Sequence, residues 1–172
     1  MKKAFIINGY ARCGKDTFVN FVTQHLHMYN IKCFNISSVD EVKHAAATLG
    51  WDGIKDNKGR TFLSNLKDLS TSFYDGPFNF MLHKYEYGED GIYFFHVREP
   101  DEIDRLCVAL NDCDTILIIK DDNPKEFDNH ADMESYKYIY TYEIHNNGDL
   151  EKFKWKAIDW CSAANLIQTF YK

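Results

Sequence analysis

The stretch Gly9-Tyr10-Ala11-Arg12-Cys13-Gly14-Lys15-Asp16-Thr17 decides how the rest of the chain is read. It fits G-x-x-x-x-G-K, with a hydroxyl residue one place later than phosphate-binding loops usually carry it. Upstream, Ala4-Phe5-Ile6-Ile7-Asn8 is a short apolar run that halts at Gly9, the pattern of a parallel strand covered on both faces. Downstream, Phe18, Phe21, Val22 and Leu26 fall at helical spacing over Lys15–Tyr29. A strand, a glycine loop and a helix in that order are what the chemistry requires. Glycines let the backbone wrap so that successive N–H groups face phosphate oxygens. The helix N-terminus behind them adds the positive end of its dipole, and the lysine reaches the outer phosphates as a mobile charge. The candidate contacts are therefore Gly9, Arg12, Cys13, Gly14, Lys15, Asp16 and Thr17. Asp16 stands where Ser or Thr usually ligates magnesium. It holds that ion through water or simply complements the helix N-terminus, and Thr17 is a second candidate at the metal or a phosphate.

Outward from the loop, short apolar runs alternate with helical periods. Strands are predicted over Lys32–Ile36, Ile92–Val97, Thr115–Lys120 and Tyr138–Ile144. Helices are predicted over Val39–Leu49 (capped by Ser37 or Ser38), Asn57–Tyr74, Pro77–Tyr87, Glu99–Leu110 and Ala157–Tyr171. The alternation predicts an α/β layer fold with a mainly parallel sheet. Residues 51–90 and 121–137 are too polar for its core. They read as excursions from the C-terminal edge of the sheet, where α/β proteins bind ligands. Tyr136, Tyr138, Tyr140 and Tyr142 alternate and are expected on one strand face. Phe73, Tyr74, Phe78 and Phe80 are expected in the core, or else along a base pocket.

Composition narrows the classes. A chain of 172 residues suits one domain, and 45% hydrophobic with 27% charged residues is an ordinary globular balance. Twenty Lys and Arg against 26 Asp and Glu leave a net charge of −6, which argues against a nucleic acid polymer as partner. Five cysteines with no C-x-x-C spacing point to reduced thiols and a cytoplasmic setting. Neither a signal peptide nor a membrane-spanning run is expected.

The cations are unevenly distributed. There are sixteen lysines but four arginines, and Arg12, Arg60 and Arg98 lie in the loop or in polar segments beside predicted strands and helices. Arginine's planar fork suits bidentate phosphate contact. Arg98 follows a buried strand at its C-terminal end, which makes it the candidate for charge stabilisation beside Lys15. An i,i+4 surface pair with Glu102 is the competing reading. His96, just before it, reads as a core histidine.

The run G-K-D-T resembles the loop of the deoxynucleoside monophosphate kinases of bacteriophages and their bacterial relatives, a branch of the P-loop kinases. The likeness continues through Ser37-Ser38-Val39-Asp40-Glu41-Val42-Lys43, Lys55-Asp56 with Arg60, His96-Val97-Arg98-Glu99-Pro100-Asp101-Glu102, His130-Ala131-Asp132 and Asn146-Asn147-Gly148. It implies a P-loop NTPase three-layer fold with five parallel strands, an acceptor-side helical excursion over 51–90 and a lid over 121–137. It also implies ATP and Mg²⁺ as cofactors, an acceptor held by Asp40, Lys43 and Arg60, and small nucleotides as substrates. The expected activity is transfer of a phosphoryl group to a nucleoside monophosphate. The alternatives are a small-molecule kinase with another acceptor, such as dephospho-coenzyme A, and a nucleotide-binding module without turnover. His96 stands where the family carries an acid, Lys120 where it often carries arginine, and 121–137 contains no arginine.

Overall fold

A run of β-branched and aromatic residues with both faces covered has to lie inside a sheet, and the first strand does. In the computed structural model, which describes residues 1–111, 113–120 and 138–170, β1 (Lys2–Asn8) is fully buried from Ala4 to Ile7. β2 (Cys33–Ser37), β3 (Gly91–His96), β4 (Cys113–Ile119) and β5 (Tyr142–His145) join it in the order β2-β3-β1-β4-β5. The sheet is parallel, with Ile7 opposite His96 on one side and Ile116 on the other. Each parallel step needs a crossover. α1 (Lys15–His27) lies between β1 and β2 and α5 (Pro100–Leu110) between β3 and β4, while α6 (Leu150–Ala163) and a short α7 (Leu166–Phe170) follow β5.

The strand period of two divides the buried residues between two faces. Phe5, Ile7, Phe94, Ile116 and Ile118 pack against Phe18 and Val22 of α1 and against Phe153, Ala157 and Trp160 of α6. The Trp160 ring meets Phe5 edge-on at 4.9 Å and Phe18 at 5.3 Å, a preferred aromatic geometry. The opposite face is met by α5, which buries Ile103, Leu106 and Leu110. Helices on both faces of a parallel sheet make the three layers expected.

The described chain divides into two compact units, Met1–Asn35 with Glu89–Lys172, and Ile36–Gly88. In the second, α2 (Asp40–Thr48), α3 (Asn57–Tyr74) and α4 (Gly76–Tyr87) pack on one another. Asp56 caps α3 by accepting from the Gly59 amide at 2.7 Å. Gly59 is required there, because a Cβ would fall 2.1 Å from the Ile54 carbonyl oxygen.

Several boundaries differ from expectation. Ser37 belongs to β2 and the N-cap of α2 is the apolar Val39, so neither Ser37 nor Ser38 caps that helix. Asp40, inside the first turn, instead accepts from the Ser37 amide at 2.7 Å. The last strand begins at Tyr142, not Tyr138. Thr141 and Thr115 exchange side-chain-to-backbone hydrogen bonds (3.0 and 3.2 Å), which displace the ladder at that step. Tyr138 and Tyr140 therefore precede the strand, with rings 5.1 Å apart, and share no strand face with Tyr142. Tyr136 lies outside the described residues, as does the lid-like segment 121–137. The C-terminal helix starts at Leu150 and breaks at Ala164, with Asn165 in the left-handed region at φ +52°. Phe73 and Tyr74 are not core residues. They are 84% and 48% exposed.

The early start of α6 has a local cause. Asp149 accepts from the Lys152 amide at 2.8 Å and so caps the helix that carries Trp160. Asp149→Ala should lower stability by about 1 kcal/mol, read as a shift in the urea midpoint with an unchanged slope.

Candidate functional site

The glycine loop leaves β1 at Asn8, a polar residue only 1% exposed. Such a group needs partners, and Asn8 has three. Its Oδ1 accepts from the Gly9 amide at 2.7 Å, and its Nδ2 donates to the Arg98 carbonyl at 3.0 Å and to the Tyr140 hydroxyl oxygen at 2.8 Å. One buried amide thus ties the start of the loop to the segment after β3 and to the approach to β5. Sequence reasoning passed over Asn8, because a polar residue closing an apolar run reads as a strand end.

From Gly9 the backbone turns through three left-handed positions, Gly9 (φ +134°), Arg12 (φ +64°) and Gly14 (φ +107°). The glycines are fixed by close approach as well as by φ. A Cβ on Gly9 would lie 2.5 Å from the Ile118 carbonyl oxygen, and one on Gly14 would lie 2.6 Å from the Asn146 amide nitrogen. Asn146 is there because its Nδ2 donates to the Cys13 carbonyl at 2.8 Å, a strut from the end of β5 to the loop. The Tyr10 hydroxyl adds another by donating to the Lys120 carbonyl.

Inside this turn lies the Lys15 ammonium. It donates to the Gly9 carbonyl, and to the Tyr10 carbonyl at 2.8 Å, and stands 3.9 Å from Cys13 Sγ. Gly14 caps α1 without any side-chain hydrogen bond, and the first amides of a helix have no acceptor within it. A cradle that a Cβ would fill, a helix N-terminus without a side-chain cap and a central ammonium together fit the phosphates of a nucleotide.

The Cys13 thiol, beside the Lys15 ammonium, is fully buried and belongs to the core cluster, and burial raises its pKa against the lowering effect of Lys15. Asp16 and Thr17, in the first turn of α1, offer a carboxylate and a hydroxyl, oxygen donors suited to a hard divalent cation. Asp16 is 88% exposed.

His96 is not the core histidine expected. β3 is buried through Phe95, and at its last residue the imidazole turns to polar partners. Its Nε2 lies 2.5 Å from Asn35 Oδ1 and 3.7 Å from Asp16 Oδ1. Arg98, two residues on, is exposed, and its backbone is held by Asn8. The Lys15 loop, Asp16, His96 and Arg98 therefore occupy the C-terminal ends of adjacent strands β1 and β3 and the helix that follows β1.

The acceptor-side candidates lie in the second unit. Asp40 and Lys43 pair with each other at 2.8 Å across one helical turn, and Arg60 donates from Nε to the Lys55 carbonyl at 3.0 Å. Among the described residues no cluster of three or more His, Cys, Asp or Glu side chains could hold a metal, and no helix is long and apolar enough to cross a membrane.

No protein-family model matches the chain, and a search of curated proteins finds no relative. Solved structures do match. A gluconokinase from Sinorhizobium meliloti aligns over 98% of this chain and 95% of its own, with TM-score 0.52 and 8% identity. A protein from Chloroflexus aurantiacus assigned as a kinase aligns over 94% and 97%, with TM-score 0.53 and 9% identity. The APS kinase of Mycobacterium tuberculosis aligns over 92% and 96%, with TM-score 0.45 and 12% identity. Identities this low show the fold alone, and that fold is the P-loop NTPase fold of the P-loop kinases.

Proposed function

We propose that this chain is an ATP-dependent kinase that transfers the γ-phosphoryl group to a nucleoside monophosphate, a deoxynucleotide by the resemblance of its loop and acceptor segments. The observation that carries the reading is the wrapping of Gly9–Thr17 around the Lys15 ammonium at the N-terminus of α1. Phosphoryl transfer needs little covalent chemistry from the protein. It needs cations and donors fixed where charge moves. The backbone of Gly9, Arg12, Cys13 and Gly14 would hold the phosphates, and Lys15 and Arg98 would stabilise the transferred group. Asp16 and Thr17 would hold Mg²⁺, which would supply positive charge to offset that of the phosphates. Asp40, Lys43 and Arg60 would receive the acceptor once the Asp40–Lys43 pair opens toward it. We read the whole chain as one kinase domain, with 51–90 the acceptor side and 121–137 the lid. It would act in the cytoplasm on free nucleotides, with no nucleic acid polymer or membrane as partner.

Two measurements on one preparation test this. ATP with Mg²⁺ at 100 times its dissociation constant should stabilise the fold by about 2.7 kcal/mol, read as a rise in melting temperature. A panel of monophosphates should then reveal transfer. If no nucleotide shifts the melt, the reading fails at its base. A shift without transfer to any acceptor leaves a nucleotide-binding module. Transfer to dephospho-coenzyme A or another small molecule alone assigns the fold a different acceptor.

A further inference from the structure

The pairing of β1 with β3 ends at Ile7 and His96. One residue further on, a side chain joins the two strands instead. Asn8 Nδ2 gives one hydrogen to the Arg98 carbonyl at 3.0 Å and the other to the Tyr140 hydroxyl oxygen at 2.8 Å, while Oδ1 accepts from the Gly9 amide at 2.7 Å. The orientation of this amide is dictated by its partners. Reversed, it would set its NH₂ against the Gly9 N–H and its oxygen against the Arg98 carbonyl. Asn8 and Tyr140 are only 1% and 8% exposed, so the cluster is shielded from competing water.

We propose that Asn8 is a positioning residue for phosphoryl transfer, whose buried amide holds the backbone of Arg98 in register with the glycine loop. The inference rests on the kinase reading and deepens it, because that reading brings Lys15 and Arg98, far apart in sequence, to one phosphoryl group. Gly9 is held on two sides, by Asn8 at its amide and by the Lys15 ammonium at its carbonyl. A lysine that turns to the phosphates gives up carbonyl partners to do so. Asn8 has no such second task, so it keeps the loop and the Arg98 segment together while Lys15 moves. Asparagine suits the position by its groups as well as its size. An ionised aspartate has no donor for the Arg98 carbonyl, serine is too short for all three partners, and glutamine is a methylene longer. A misplacement of about 1 Å costs on the order of 10² in rate, so the effect belongs in kcat.

A double-mutant cycle tests this. The full chain, Asn8→Asp, Arg98→Ala and the double variant are assayed with ATP, Mg²⁺ and a panel of deoxy- and ribonucleoside monophosphates, with rates counted per ATP-binding site. Asn8→Asp keeps the acceptor for Gly9 and loses the donor that faces Arg98. It should lower kcat by on the order of 10–10² and leave the KM for ATP within about threefold of wild type. In the Arg98→Ala background the same change should lower kcat by no more than about twofold, since the group it positions is gone. Tyr140→Phe disturbs the same buried amide without touching the Arg98 bond, and should keep kcat within about threefold. Asn8→Ser replaces the aspartate in the cycle if that variant does not fold. Equal fractional losses of kcat with Arg98 present and absent overturn the proposal. So do a loss confined to KM or stability, an equal loss in Tyr140→Phe, and failure of both Asn8 variants to fold. Each of these leaves the kinase reading standing, because the wild type still transfers. A wild type that transfers to no acceptor in the panel overturns both.

Discussion

Lys15→Ala should lower phosphoryl transfer by on the order of 10²–10³, the loss seen when a group that stabilises transition-state charge is removed. Fold stability should fall by no more than about 1 kcal/mol. The asymmetry follows from where the side chain ends. The Lys15 ammonium contacts the Gly9 and Tyr10 carbonyls within the loop, while the buried cluster beneath is built by Phe18, Val22 and their partners. Alanine therefore removes a charge from the cradle without opening a cavity in the core. Steady-state transfer beside a urea melt separates the two effects. Wild-type transfer in a well-folded Lys15→Ala protein would end the phosphate-loop reading. A large stability loss with proportionate activity loss would make Lys15 a structural residue instead.

The loop was legible because its chemistry is local. Two glycines, a lysine and the flanking periodicities lie within one strand and one helix. The three-layer sheet was legible for a related reason, since fully buried parallel strands such as Ile92–Phe95 lack the alternation of a half-exposed one. What escaped was everything fixed by partners distant in sequence. Asn8 bonds Tyr140, 132 positions on, and Asn146 bonds Cys13 across 133. No window around either residue signals the contact. The alternating pattern starts the last strand at Tyr138, four residues early, because the exchange between Thr141 and Thr115 depends on two strands meeting. The apolar neighbours of His96 predict a core residue. Its polar role comes from Asn35 in the middle of the neighbouring strand β2, which the pattern of β3 alone cannot indicate.

A comparison of two glycine substitutions tests how tightly the loop is held to the sheet. Gly50 and Gly9 both sit at positive φ, +94° and +134°, so either gains backbone strain on becoming alanine. Strain of that kind costs about 1–3 kcal/mol. Around Gly50 nothing lies within 4 Å of an added Cβ, so strain is the whole effect. At Gly9 the Cβ would meet the Ile118 carbonyl oxygen at 2.5 Å and Cys13 Sγ at 2.7 Å. The first of these is backbone of β4, paired on to β5 through Ile118 and Ile144, and cannot swing aside as a side chain would. Forcing the two apart adds about 1–3 kcal/mol of overpacking. The strand stays paired and the loop has to lift. Gly9→Ala should therefore lose more stability than Gly50→Ala and also the nucleotide-dependent rise in melting temperature, which Gly50→Ala should keep. Equal destabilisation with the nucleotide response preserved in both would mean that the loop yields at no cost to its cradle. Its shape would then owe nothing to contact with β4, and Asn8 and Asn146 would be left as the groups that hold it.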